Sequence, residues 1–215
     1  MQFTVAARGT RLWLDAADLV GKSYSEAFGA TSFSKPDRFV TASVHRPSGT
    51  EVLACVGLTF GSHKEFFAEQ YLDQPVEKIV SETFDLPCTR EDLIEVGPLA
   101  SSGARAGSEL MRIFPVFMWA LGKRYVLCTA TRHLDALFAR LGYLFTPIAE
   151  ADPSRLNPED QSKWGSYYEN APRTGVMRLD TLAHSFFLDN VGRYRLAKLN
   201  LMLPDYDDEA ARRVA

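Results

Sequence analysis

Residues 93–114 read "LIEVGPLASSGARAGSELMRIF". An apolar, β-branched run stops at a proline, passes through two serines and two glycines, and enters an amphipathic stretch. A strand, a small-residue loop and a helix start in succession suit one kind of chemistry. Backbone N–H groups at such a helix start bear on an anion or a ligand chain. Ser101, Ser102, Gly103, Arg105 and Gly107 are the residues of that loop, glycine allowing close backbone approach and Arg105 adding charge. The alternative is a plain strand-to-helix turn with small residues for packing.

Other residues carry chemistry of their own. Glu95 stands within the apolar strand, where removal from water would raise its pKa towards neutrality and make it a general base. Alternation puts Glu95 and Gly97 on one face, so a solvent-facing carboxylate is the alternative. Glu69, in "FFAEQYLD", is a second acid/base candidate or else part of a solvated helix face. Beside it, Tyr71 would orient polar substrate atoms or pack as ordinary core. Cys128 and Thr129 close the strand "VLCTAT", with His133 five residues beyond the cysteine. A covalent acyl-cysteine would need a base, and a buried free cysteine is more often inert packing. Arg132 and His133, at the next helix start, would touch a phosphate or substrate, or serve as caps. "KWGSYYE" is dense in rings: Trp164, Tyr167 and Tyr168 would wall a pocket or form a packed lid.

Composition bounds these readings. The chain has 215 residues, 46% hydrophobic and 24% charged, which suits one domain with a full core. A net charge of −3 gives no general attraction to nucleic acid or anionic lipid. Lys123, Arg124, Arg105, Arg112, Arg132 and Arg140 nevertheless make the middle of the chain basic, which suits an acidic carrier protein, a nucleotide or an RNA-borne donor, the alternative being solvated helix ends. The three cysteines lack the spacing of a zinc site or a disulfide framework, so no metal is expected. The first residues lack the apolar core of a signal peptide, and no apolar run approaches the ~20 residues that span a bilayer. These features suggest a reducing, cytoplasmic setting without integral membrane association.

The elements that must position these groups follow from local pattern. A first helix covers "LDAADLVGKSYSEAFGA" and stops at Gly29. "RFVTASVH" and "TEVLACVGLTFG" form a hairpin around "RPSG". Short helices follow in "HKEFFAEQYLD" and from Pro75 through "PVEKIVSETF". Next come the strand "DLIEVGPLA" and the helix "GSELMRIFPVFMWALG", with Leu110, Ile113, Phe117 and Leu121 on one face and Pro115 expected to kink or split it. "RYVLCTAT" reads as a central strand buried on both faces. "HLDALFARLG" is a helix ended by Gly142, "YLFTPIA" a strand, "PEDQSKWGSYYEN" partly helical, and "TGVMRLDTL" a last strand. This order predicts an α/β (α+β) fold, a central mixed sheet flanked by helices, with a domain over 1–182 and a partly helical extension with a polar tail over 183–215.

The segments "IEVGPLASSGARAGSELM", "YVLCTATRHLDALFARLGY" and "WGSYYE", together with "FFAEQYLDQPVE" and "ADPSRLNPEDQSKWGSYYENAP", resemble the thermostable hemolysin family over roughly residues 10–182. That family in turn resembles the GCN5-related N-acyltransferase fold, to which acyl-homoserine-lactone synthases are also similar. "ALFARLGY" is similar to the acyltransferase pattern A-x-x-F/Y-Y-x-x-x-G-F, and "SSGARAG" stands where those enzymes carry a pyrophosphate loop. No Gln or Arg opens that loop here, and Phe138 stands where many acetyltransferases place a general-acid tyrosine.

The resemblance implies that two parallel strands, 92–100 and 124–130, splay apart and pair with a pantetheine chain through residues such as Leu99. Ser101, Ser102, Gly103, Arg105, Gly107 and Arg132 would hold coenzyme A or a phosphopantetheine thioester as co-substrate. Glu95, or Glu69, would take the proton of a small amine acceptor lying among Tyr71, Thr129, Trp164, Tyr167 and Tyr168. The expected activity is N-acyl transfer in small-molecule biosynthesis, with coenzyme A or an acyl carrier protein bringing the acyl group. An aminoacyl-tRNA donor is a variant, and otherwise nucleic acid is not expected. A membrane-damaging toxin and an inactive ligand-binding relative are the competing readings. The apolar "LAKLNLML" near the end would allow either some surface adsorption or a subunit contact, as in a homodimer.

Overall fold

The computed structural model describes residues 1–182 apart from His63 and Thr181. The expected extension over 183–215, with its "LAKLNLML" segment, lies outside the described residues.

The sheet consists of β1 (Gln2–Ala7), β2 (Arg38–Arg46), β3 (Gly49–Phe60), β4 (Leu93–Ser101), β5 (Tyr125–Ala130), β6 (Thr146–Glu150) and β7 (Arg173–Arg178). Its spatial order is β1-β2-β3-β4-β5-β7-β6. β4 and β5 are parallel, whereas every other neighbouring pair is antiparallel. The helices are α1 (Arg11–Phe28), α2 (Val76–Phe84), α3 (Ala104–Ala120), α4 (Arg132–Arg140) and α5 (Pro158–Lys163). Alternation along the strands sends residues to opposite faces, and both faces are covered. On β5, Val126 and Cys128 pack in one core with Leu110, Phe114 and Phe138 of α3 and α4. Tyr125 and Leu127 enter another with Phe66, Val80 and Trp164. The face of β2 and β3 bearing Phe39 and Cys55 is covered by Trp13, Ala16 and Val20 of α1.

Local chemistry explains the element ends. Thr10 caps α1 by accepting the Trp13 N–H, and the helix ends at Gly29 as its sequence predicts. β1 is not foreseen by the sequence pattern: its six residues pair only with β2, at the sheet edge. The helix expected in "HKEFFAEQYLD" is a 3-10 turn over Phe67–Tyr71. Carboxylates take its first N–H groups, and Leu72 returns to extended geometry ahead of Pro75. Pro75 itself caps α2. The ring-rich segment is helical only over Pro158–Lys163 and in a 3-10 turn at Tyr167–Asn170. Gly165 separates the two, with φ +52 and so close to Phe28 O that an added Cβ would lie 2.0 Å from it.

Pro115 neither splits nor ends α3, which runs on to Ala120. A helical proline leaves the carbonyl four residues earlier without its N–H partner. Here that carbonyl belongs to Met111, and it accepts the Tyr143 hydroxyl instead. The apolar stripe of α3 is rotated from the expected one: Leu110, Met111, Phe114 and Met118 are buried, and Ile113 and Phe117 are half-buried. The Tyr143 N–H closes the end of α4 on the Phe138 carbonyl, and β6 starts only at Thr146. Replacing Tyr143 with Phe should orphan the buried carbonyl and lower stability by about 1–3 kcal/mol in denaturant unfolding. An unchanged midpoint would show that the hydroxyl contributes nothing.

Among the described residues, no helix is long and apolar enough to cross a membrane.

Candidate functional site

β4 pairs with β5 only from Leu93–Tyr125 to Glu95–Leu127. Beyond Glu95 the strands part, although β4 continues to Ser101 and β5 to Ala130. On its other edge, level with this parting, β4 bulges against β3. Val56 faces Leu99 and Leu58 faces Val96, so Gly57 alone lies opposite both Gly97 and Pro98. A Cβ on Gly57 would lie 2.5 Å from the Gly97 carbonyl oxygen, so only glycine lets the bulge settle there. The gap beyond Glu95 holds a cavity of about 480 Å³, reaching from Met111 and Phe138 on the α3–α4 side to Tyr24, Phe28 and Tyr167 on the α1 side. Leu99, Ser101, Ser102, Gly103 and Gly107 all line it.

The loop at its rim is tied down. Ser102 directs both its N–H and its hydroxyl to the Leu53 carbonyl, at 2.8 and 3.0 Å. The Ser101 hydroxyl accepts the Gly103 N–H and donates to the Gly103 carbonyl. Gly103 then opens the 17-residue α3, whose first N–H groups and dipole favour an anion. Two of the residues expected to hold the donor lie apart from the cavity. Arg105 and Arg132 are exposed and do not line the cavity, because each lies on the outward side of its helix start. The cavity is lined instead by His133 and Arg140 of α4.

Glu95 is 7% exposed and is the last β4 residue paired with β5, at the vertex of the gap. Its two oxygens accept the Phe67 and Ala68 N–H groups, each at 2.8 Å, so the solvent-facing alternative does not hold. Burial pushes its pKa up to about 7, against the lowering effect of those two hydrogen bonds, with the Glu69 charge adding to the rise. Glu69 itself is committed elsewhere. Arg90 grips it with two nitrogens at 2.5 and 2.6 Å, while the Phe66 N–H donates to it. Burial works to raise the Glu69 pKa, but Arg90 and the Phe66 N–H outweigh it and hold the carboxyl low. Glu69 lines neither cavity at the gap, so its role as a base gives way to anchoring the turn that faces Glu95.

Aromatic side chains close the α1 side. Tyr167 borders the gap and also a smaller adjoining cavity that holds Glu95, Tyr71, Thr129 and Trp164. Tyr168 lines neither cavity; its hydroxyl is paired with that of Tyr71 at 2.6 Å. Tyr24 was not among the sequence candidates, although it borders both cavities and stacks on Tyr167 at 6.2 Å. Its spacing of four from Phe28 puts the two on one face of α1, the one signal that could have found it. Burial pushes the Tyr24 phenol up to about 12, partly offset by a hydrogen bond from the Leu99 backbone. Cys128 lines the larger cavity, but burial, then the Glu95 and Asp135 charges, push its thiol well above the ordinary range. A thiol so held is a poor nucleophile.

The family model described as Thermostable hemolysin matches residues 6–182. No curated protein matches the chain. Among solved structures, the fold is similar to FeeM, an N-acyl amino acid synthase from uncultured soil microbes, with TM-score 0.54 and 13% identity over 86% of this chain and 98% of that one. It is similar to a putative arylalkylamine N-acetyltransferase from the yellow fever mosquito, with TM-score 0.53 and 13% identity over 83% and 88%. For the AHL synthase LasI the TM-score is 0.52, with 10% identity over 83% and 89%. The expected mixed sheet flanked by helices is therefore an architecture shared with acyltransferases.

Proposed function

The chain belongs to the thermostable hemolysin family, and from that premise, with the opened sheet and its buried carboxylate, we propose that it is an N-acyltransferase. It moves an acyl group from a thioester, carried on coenzyme A or an acyl carrier protein, to a small amine. The observation that carries this reading is the place of Glu95: a buried carboxylate at the vertex where two parallel strands part, where loss of water favours its holding a proton. In the gap, the free edges of β4 and β5 suit the amides of a pantetheine arm, and the start of α3 suits its phosphate. Fold likeness to proteins named for N-acylation supports the same reaction class.

The chemistry then runs as follows. The amine nitrogen attacks the thioester carbonyl carbon, and its proton passes to Glu95. The carbonyl oxygen, now negative, is met by the Tyr24 hydroxyl, which the Leu99 backbone holds in place by a hydrogen bond. The C–S bond breaks, the amide forms, and the thiolate departs. Phe138 lines the cavity with no proton to give, which is the observation favouring the inactive relative. A thiol with a pKa of about 8.5 leaves as thiolate without an acid, so a phenol is not essential there. The membrane-damaging reading draws on the family's name alone.

Thiol release from acyl thioesters, followed with and without added amines, tests the proposal: amine should accelerate release. A variant localises the donor. Gly103 has an extended backbone, and an added Cβ would meet nothing within 4 Å. Gly103→Val should therefore fold normally while its side chain blocks the approach of the donor, weakening binding by about tenfold or more. Parental affinity in calorimetry would reduce the loop to a turn.

A further inference from the structure

The acyl-transfer reading leaves the acceptor open, and the smaller cavity constrains it. That cavity has a volume of about 40 Å³ and is walled by Tyr24, Phe67, Tyr71, Trp164 and Tyr167, with Glu95 at its base. The rings pack closely, Trp164 lying 5.2 Å from Tyr167 and 5.4 Å from Phe67 between centroids. Glu95 is the one charged side chain in this lining, and no Lys, Arg or His joins it among the described residues. Nearby cations are engaged elsewhere. Arg90 holds Glu69 and Glu77, Lys64 holds Asp37 outside the cavity although its charge still reaches Glu95, and Arg155 holds Asp73 and the Gln70 and Leu72 carbonyls.

From this arrangement we infer that the acceptor is an alkyl- or arylalkylammonium whose amine-bearing carbon carries no carboxylate. Aromatic faces attract a cation through their quadrupoles, more strongly once water is excluded. The Glu95 carboxylate adds opposite charge and takes the one proton that frees the attacking lone pair, while the second, released from nitrogen as the amide forms, leaves with the departing thiolate as thiol. An α-amino acid would bring its own carboxylate beside Glu95 with no cation to match it, and like charges held close repel strongly in a site of low dielectric. Size points the same way: the cavity admits an ammonium head, and the rest of the acceptor must extend away from it.

The inference rests on the acyl-transfer reading, yet it is tested by binding alone. Butylammonium and phenethylammonium, with their α-carboxylated counterparts norvaline and phenylalanine, are titrated calorimetrically into the full chain. The amines should bind about tenfold or more tightly than the amino acids, and Glu95→Gln should weaken amine binding by a similar factor. Trp164→Leu should do the same. If that variant fails to fold, the Glu95 variant and the amine-to-amino-acid ratio still decide. Amino acids binding as tightly as amines, or no binding of either class, would overturn the inference. Selective amine binding without amide formation from any thioester would leave the ammonium site standing and overturn acyl transfer instead.

Discussion

Glu95→Gln slows acyl transfer by about 10²–10⁴-fold, the usual worth of a general base, and leaves donor affinity at the parental level. The carboxylate stands at the vertex of the gap, whereas the donor's phosphate end lies at the start of α3, so the two effects separate. Parental activity rises with pH through about 7, as Glu95 loses its proton, and the Gln variant lacks that limb. Stability moves in the opposite sense. The folded chain holds the Glu95 proton up to about 7, while the unfolded chain releases it near 4.5. The protonated form's contribution is therefore complete below 4.5 and is lost as pH rises to 7, on the order of 3 kcal/mol. An amide escapes that loss but accepts only one of the two N–H groups from Phe67 and Ala68, at about 1–3 kcal/mol. At pH 8 these terms offset, and thermal unfolding of the variant should match the parent's. Parental turnover, or activity lost together with the fold, would remove Glu95 from the chemistry.

Gly57→Ala closes the site from a distance. The new Cβ would stand 2.5 Å from the Gly97 carbonyl oxygen and 2.8 Å from Pro36 Cγ, and the first of these is backbone that cannot turn aside. The strain should cost about 1–3 kcal/mol of stability, seen as a lower denaturant midpoint. Relief requires β4 to shift from β3, which moves Gly97, Pro98 and Leu99 into the gap. Donor binding should fall by about tenfold or more, further than the loss of stability alone would produce. A variant with parental stability and parental donor affinity would show that the bulge does not set the opening.

Much of this was legible in the sequence. The strand, loop and helix of residues 93–120 and the following strand and helix are local patterns, and each forms close to its expected bounds. What escaped depends on contacts distant in the chain. Glu95 meets Phe67 and Ala68 across 28 and 27 residues, and Glu69 meets Arg90 across 21. No periodicity reveals such pairs. Arg105 and Arg132 were assigned to the donor from their position in the chain, but the phase of a helix decides which way its first residues face. A proline at 115 is expected to kink or split α3, yet the helix runs unsplit, and a hydroxyl 32 residues away takes up the carbonyl it orphans. Tyr24 lay unremarked because a single helical turn gives no sign of which cavity its face will meet.

The most direct test of acyl transfer follows the acyl carbon itself. A thioester labelled at its carbonyl carbon is incubated with the full chain and butylamine, and the products are separated and weighed by mass spectrometry. The account predicts label in N-butyl amide, formed in step with free thiol, with none retained on Cys128. Label appearing as free acid at the same rate with and without amine, or held on the protein, would contradict it.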